Sequence, residues 1–133
     1  MIVLDGSALV DHLLGQRPQS GWVAEQLLAS GWNVHAPHCL DLEVCGVIRR
    51  EVVAGLVAAE RGALLVQTLG ELRITRHGHV PLLRRMWQLY PQVTVADAFY
   101  VALAEALRAP LVTTDARLGR AHGIHADVRV FPG

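Results

Sequence analysis

Leu111-Val112-Thr113-Thr114-Asp115 and, at the other end of the chain, Met1-Ile2-Val3-Leu4-Asp5 share one pattern: a short apolar run closed by a carboxylate. An unbroken apolar run of this length suits a strand buried on both faces, so both are expected near the centre of a parallel sheet. Further strands are expected over residues 33–36, 72–75 and 128–131. Helices are expected over 7–14, 21–29, 39–53, 56–69, 81–89 and 95–107, with a helical turn after Asp115. Gly15 and Pro18 stop the first helix, Gly31 closes the second, and Pro81 opens the fifth. Strands alternating with helices imply an α/β architecture with a central, mostly parallel sheet of four to five strands. In such sheets ligands bind beyond the carboxyl ends of the strands, where strand order reverses. Asp5 and Asp115 would therefore share a site if their strands are neighbours. Each is equally suited to capping the helix that follows it.

The bulk properties narrow the function classes. The chain has 133 residues, 52% hydrophobic and 18% charged, which fits a single domain with a sizeable core. All twelve basic residues are arginine. The lack of lysine removes Schiff-base enzymes, the Walker-type phosphate loop and lysine-dependent phosphoacceptor domains. Neither G-x-G-x-x-G nor G-x-S-x-G occurs, so dinucleotide binding and serine-hydrolase chemistry lose their usual signatures. With a net charge of +0, any polyanion must be held by a local patch. The start of the chain lacks the basic residues of an export signal, and no apolar run reaches the length of a membrane span. A cytoplasmic protein with no membrane association and with reduced Cys39 and Cys45 is expected.

Two more carboxylates stand in unusual places. Glu43 lies between Leu42 and Val44, with Cys39 and Val47 one turn away on either side, whereas Asp41 lies about 200° round the same helix. A carboxylate among apolar neighbours must be paired, for instance with Arg50, or must hold a cation. Asp97 opens the helix Asp97-Ala98-Phe99-Tyr100-Val101-Ala102-Leu103-Ala104-Glu105-Ala106-Leu107, where the helix dipole alone would favour it. As a set, three or four convergent carboxylates repel unless a divalent cation compensates. Oxygen-only ligands suit Mg²⁺ or Mn²⁺ rather than zinc, and such an ion can activate water and offset charge on a phosphoryl group. Phosphodiester hydrolysis is the chemistry that follows.

Four segments together, Val3-Leu4-Asp5-Gly6-Ser7-Ala8-Leu9-Val10, Leu42-Glu43-Val44 leading into Ile48-Arg49-Arg50, Asp97 through Ala104, and Leu111 through Asp115, resemble the PIN-domain family. More narrowly they are similar to the VapC toxins of toxin–antitoxin pairs. The resemblance spans nearly the whole chain, in order. It implies a PIN fold and a Mg²⁺-dependent endoribonuclease acting on RNA, with Mn²⁺ able to substitute. The catalytic quartet would be Asp5, Glu43, Asp97 and Asp115. Asp5, Asp97 and Asp115 would hold the metal, and the hydroxyls of Ser7 and Thr113 would support them. The resemblance also implies a VapB-type antitoxin and a homodimer. Some family members carry another acid two residues after the last aspartate. Arg117 stands there in this chain, so one metal is expected rather than two.

Among the arginines, Arg117 and Arg120, just past Asp115, are the best placed to meet an RNA backbone, with Arg49, Arg50, Arg73, Arg76, Arg84 and Arg85 as further candidates. His35/His38 and His122/His125 are each three apart but lack the further ligands of a zinc site. Trp87 and Phe99 are expected in the core, Trp22 partly exposed, and the apolar surplus over 56–69 at an interface. Two rival readings make different predictions. A histidine-based ribonuclease would work in EDTA and leave a cyclic phosphate. A non-catalytic PIN-like RNA- or protein-binding module would bind without turnover.

Overall fold

A computed structural model describes residues 1–133. The strands are β1 (Ile2–Leu4), β2 (Val34–Pro37), β3 (Ile74–His77), β4 (Leu111–Thr113) and β5 (Val128–Val130). The helices are α1 (Gly6–Leu14), α2 (Gln19–Ala29), α3 (Cys39–Val53), α4 (Ala59–Glu71), α5 (Leu83–Gln88), α6 (Val95–Leu107) and α7 (Ala116–Gly119), with a 3₁₀ turn over Val80–Leu82. All five strands are parallel, in the order β3-β2-β1-β4-β5. The architecture expected from the alternation of elements is therefore present, and the sheet is wholly parallel.

The two apolar runs behave as their composition requires. β1 lies at the centre and pairs with β4 in register, Val3 opposite Leu111 and Leu4 opposite Val112. Val3, Leu4, Leu111 and Val112 are all fully buried. The strand order reverses at this β1–β4 pair, so the carboxyl ends of both strands open on one crevice. Helices α1, α3 and α6 pack directly on the sheet. From α6 an unbroken run, Ala98 to Ala104, is buried, which leaves Asp97 at the edge of the core, where the helix meets the crevice.

Most element ends lie within two residues of the sequence expectation, and three differences have a clear physical cause. The helix expected to begin at residue 56 begins at Ala59, because Gly55 adopts a left-handed conformation (φ +77°) and Leu56 and Val57 both donate back to the Glu51 carbonyl, closing α3. β3 runs over Ile74–His77 rather than 72–75, since the Leu72 N–H is still engaged by Thr68 at the end of α4. Trp87, expected in the core, is 65% exposed. Leu82 and Leu89 fill the core positions around α5, and Met86 also packs against them. Trp87 follows about 100° further round and stacks instead on Tyr90, with ring centroids 5.2 Å apart. Phe99 is buried, and Trp22 is half-buried, edge-on to Phe131. Cys39 and Cys45 are free thiols. No helix is long and apolar enough to cross a membrane.

Candidate active site

Asp5 follows β1 and caps α1: its side chain accepts from the Ala8 N–H at 2.9 Å and from the Ser7 hydroxyl at 2.8 Å. Asp115 follows β4 and caps α7, accepting from the Arg117 N–H at 3.0 Å. Capping and site-building thus coexist in both aspartates. The Thr113 hydroxyl, fully buried, lies 3.3 Å from the Ser7 hydroxyl and accepts from the Asp115 N–H at 2.9 Å. Ser7 and Thr113 therefore tie the ends of the two strands together beneath the carboxylates.

Glu43 arrives from α3, and Asp97 from the first turn of α6, where the Thr94 hydroxyl caps the helix. Glu43 meets no arginine. Its Oε1 accepts from the Tyr100 hydroxyl at 2.5 Å, which corrects the alternative of an ion pair with Arg50. Asp41, on another face of α3, pairs bidentately with Arg76 at 2.7 and 2.9 Å, as its 200° offset from Glu43 anticipated. Tyr100 is one turn beyond Asp97 on α6, so both side chains reach the same crevice. Gly6 allows this approach: a Cβ there would meet Glu43 Oε1 at 3.2 Å and the Tyr100 hydroxyl at 3.4 Å.

The four acids line one cleft of about 470 Å³, shared with Ser7, Asp11, Thr94, Tyr100 and two cations, Arg50 and Arg117. A second groove, containing Arg120 and His122, joins it through shared residues Thr94, Asp97 and Arg117. Residues that sequence reasoning missed are Tyr100, Gly6 and Thr94. The Asp97–Tyr100 helical spacing was the readable signal for the first.

The electrostatics are those of acids held out of water. Burial pushes the Asp5 carboxyl up to about 6, against the lowering effect of Thr113, the Ala8 amide and Ser7. Burial also raises Glu43 and Asp97. Asp115 moves the opposite way, held low first by its hydrogen bonds from the Arg117 side chain. The donor set is oxygen only, carboxylates backed by hydroxyls, and it fits a hard divalent cation rather than zinc. No three of the acids close on one point as ligands do, because Asp115 is turned to Arg117 and Glu43 to Tyr100. The histidines pair where β2 and β3 end, His38 lying edge-on to His79 with ring centroids 6.0 Å apart, but no three of them with cysteine or acid form a metal-binding group. His35 pairs with His77 at 2.9 Å, while His122 and His125 are both exposed.

Residues 2–124 match the PIN domain model. Over 130 residues, 98% of each chain, the protein is 42% identical to ribonuclease VapC12 of Mycobacterium tuberculosis. Over 129 residues, 96% of each chain, it is 39% identical to ribonuclease VapC1 of the same organism. Among solved structures, its fold is similar to VapC20 of M. tuberculosis (TM-score 0.71, 14% identity, covering 97% of this chain and 99% of that one). It is also similar to VapBC2 of Rickettsia felis (TM-score 0.70, 16% identity, 98% and 99% covered). A full-length sequence match and a shared parallel-sheet fold, together with four acids at one crevice, lead to one assignment: the chain belongs to the PIN-domain family, among its VapC members.

Proposed function

We propose that the protein is the endoribonuclease toxin of a type II toxin–antitoxin pair, hydrolysing RNA phosphodiester bonds with Mg²⁺ and neutralised by a VapB-type antitoxin. The observation that carries this reading is the delivery of four carboxylates, from β1, α3, α6 and β4, into a single cleft. The names of the VapC relatives support a ribonuclease, and the fold match to VapBC2 and to FitAcB of Neisseria gonorrhoeae supports an antitoxin partner.

In this reading Asp5, Asp97 and Asp115 hold the metal. When bound, the metal lowers the pKa of water and offsets charge on the phosphoryl group. Ser7 and Thr113 fix Asp5 and the Asp115 backbone. Glu43, oriented by Tyr100, positions the attacking water and takes its proton, a role that suits a carboxyl raised by burial. The water oxygen bonds to phosphorus, the bond to the 3′ oxygen breaks, and that oxygen gains a proton. The products are a 5′-phosphate and a 3′-hydroxyl. Arg50 and Arg117, on the wall of the cleft, and Arg120, in the adjoining groove, hold flanking RNA phosphates.

The protein acts as a homodimer in this account. The exposed stripe of Val80, Leu83, Trp87 and Tyr90 along α5 supplies apolar surface for a second copy. Sedimentation of the purified protein tests that: a mass of 29 kDa is expected, twice the 14.5 kDa chain, and a monomer at all concentrations refutes it.

The activity is tested by incubating purified protein with total cellular RNA in Mg²⁺, Mn²⁺ or EDTA beside an Asp97→Ala variant. Discrete fragments that require both metal and Asp97 are expected. Binding of RNA without cleavage in any metal would mark a non-catalytic module instead.

A further inference from the structure

Arg117 is the side chain that most changes the picture of the site. Its guanidinium grips Asp115 with both arms, Nε to Oδ1 at 3.2 Å and a terminal nitrogen to Oδ2 at 3.1 Å, while its own N–H also donates to Oδ1. Both oxygens of one expected metal ligand are therefore occupied by a cation from the same chain. Arg117 also acts electrostatically on Asp97, whose carboxyl it draws down against burial and the Asp115 charge. The other cation on the cleft wall, Arg50, makes no hydrogen bond or ion pair with any acid. The guanidinium itself is free to leave, with a side chain 85% exposed and no partner besides Asp115.

We infer that Arg117 is a built-in counter-ion which stands in for the metal at Asp115 and passes to the RNA backbone when the metal arrives. The inference rests on the acidic metal site proposed above. Asp115 Oδ1 already accepts two of the Arg117 donors and Oδ2 a third, so a metal bound there would compete directly with the Arg117 fork. The released guanidinium stays anchored one residue into α7, on the wall shared by the cleft and the groove that contains Arg120. A phosphate is the natural acceptor for a planar fork with five donors. The same residue would thus oppose metal binding and favour substrate binding. An ordinary surface arginine would do the second but not the first.

The test measures Mn²⁺ affinity by calorimetry and affinity for a noncleaved 2′-deoxy oligonucleotide by anisotropy, in wild type, Arg117→Gln, Arg117→Lys and Arg50→Gln. Arg117→Gln is expected to bind Mn²⁺ about 2- to 5-fold tighter and the oligonucleotide about 5- to 10-fold weaker. Arg117→Lys keeps the charge but loses the fork, so Mn²⁺ should again bind more tightly. Arg50→Gln should weaken the oligonucleotide without gaining Mn²⁺ affinity. In wild type, the Arg117 Nε–H signal should move during the Mn²⁺-free titration with Mg²⁺, before any RNA is added. Unchanged or weaker Mn²⁺ binding by both Arg117 variants would overturn the inference while leaving the metal site standing. Wild type that binds no divalent ion at all would overturn the site itself.

Discussion

Asp5→Asn tests the energetics of the site in a way that is separate from catalysis. Asp5 is only 3% exposed, and the fold lifts its carboxyl from 3.8 to about 6. At about 1.4 kcal/mol per pH unit, that difference amounts to about 3 kcal/mol of strain on the ionised form. The sign follows from proton linkage. Between about pH 4 and pH 6 the folded state holds a proton that the unfolded chain has released, so stability falls as pH rises through this window, and above it the full cost remains. Asparagine keeps the oxygen that accepts from Ser7 and the Ala8 amide, and it caps helices as well as aspartate does. It carries no charge. In EDTA at pH 8 the variant should therefore be more stable than wild type by about 2–3 kcal/mol, or about 6–12 °C in melting temperature for a domain of this size. At pH 4.5 the gap should shrink to about 1 kcal/mol. Magnesium should raise the melting temperature of wild type at pH 8 and leave the variant unmoved. Equal melting temperatures in EDTA at pH 8, or a gap at pH 4.5 as large as that at pH 8, would refute the reasoning.

Other expectations follow from single contacts. Tyr100→Phe removes the donor that orients Glu43 and should slow single-turnover cleavage about 10-fold, with a change in urea stability below about 1 kcal/mol. Gly62→Ala would place a Cβ 2.7 Å from Val52 Cγ2 at the α3–α4 contact. It should cost about 1–2 kcal/mol after the gain in helix propensity, read by urea denaturation, with cleavage per folded molecule unchanged. Asp41→Asn breaks the half-exposed pair with Arg76. It should cost no more than about 1 kcal/mol in the same assay and leave cleavage intact, since Asp41 faces away from the cleft.

What the sequence revealed depended on how local the cause was. Strand-end aspartates after apolar runs are local signals, but whether Asp5 and Asp115 share a site depended on β1 and β4 being neighbours, which only the sheet order supplies. Glu43 was conspicuous because a carboxylate among apolar residues needs an explanation, but its partner was not readable. The Tyr100 hydroxyl is 57 residues away, and only the packing of α3 and α6 on the same strand, β2, brings it near. Trp87 failed as a core residue because α5 has six residues and the core positions beside it are filled by Leu82 and Leu89 at its two ends and by Met86 one residue earlier. The start of β3 moved by two residues because α4 keeps its last hydrogen bonds through Leu72, a contest between neighbouring elements that apolar patterning does not register. Arg117 was legible as a cation near the acids. Its engagement with Asp115 depends on the turn that opens α7.

The most direct measurement is the chemical identity of the ends produced when the purified protein cuts RNA, with Mg²⁺ and with EDTA. The account predicts fragments bearing 5′-phosphates, ready for ligation, that appear only with the metal and vanish in Asp97→Ala. Fragments with 5′-hydroxyl and 2′,3′-cyclic phosphate ends that persist in EDTA would contradict it and move the chemistry from the four carboxylates to histidine.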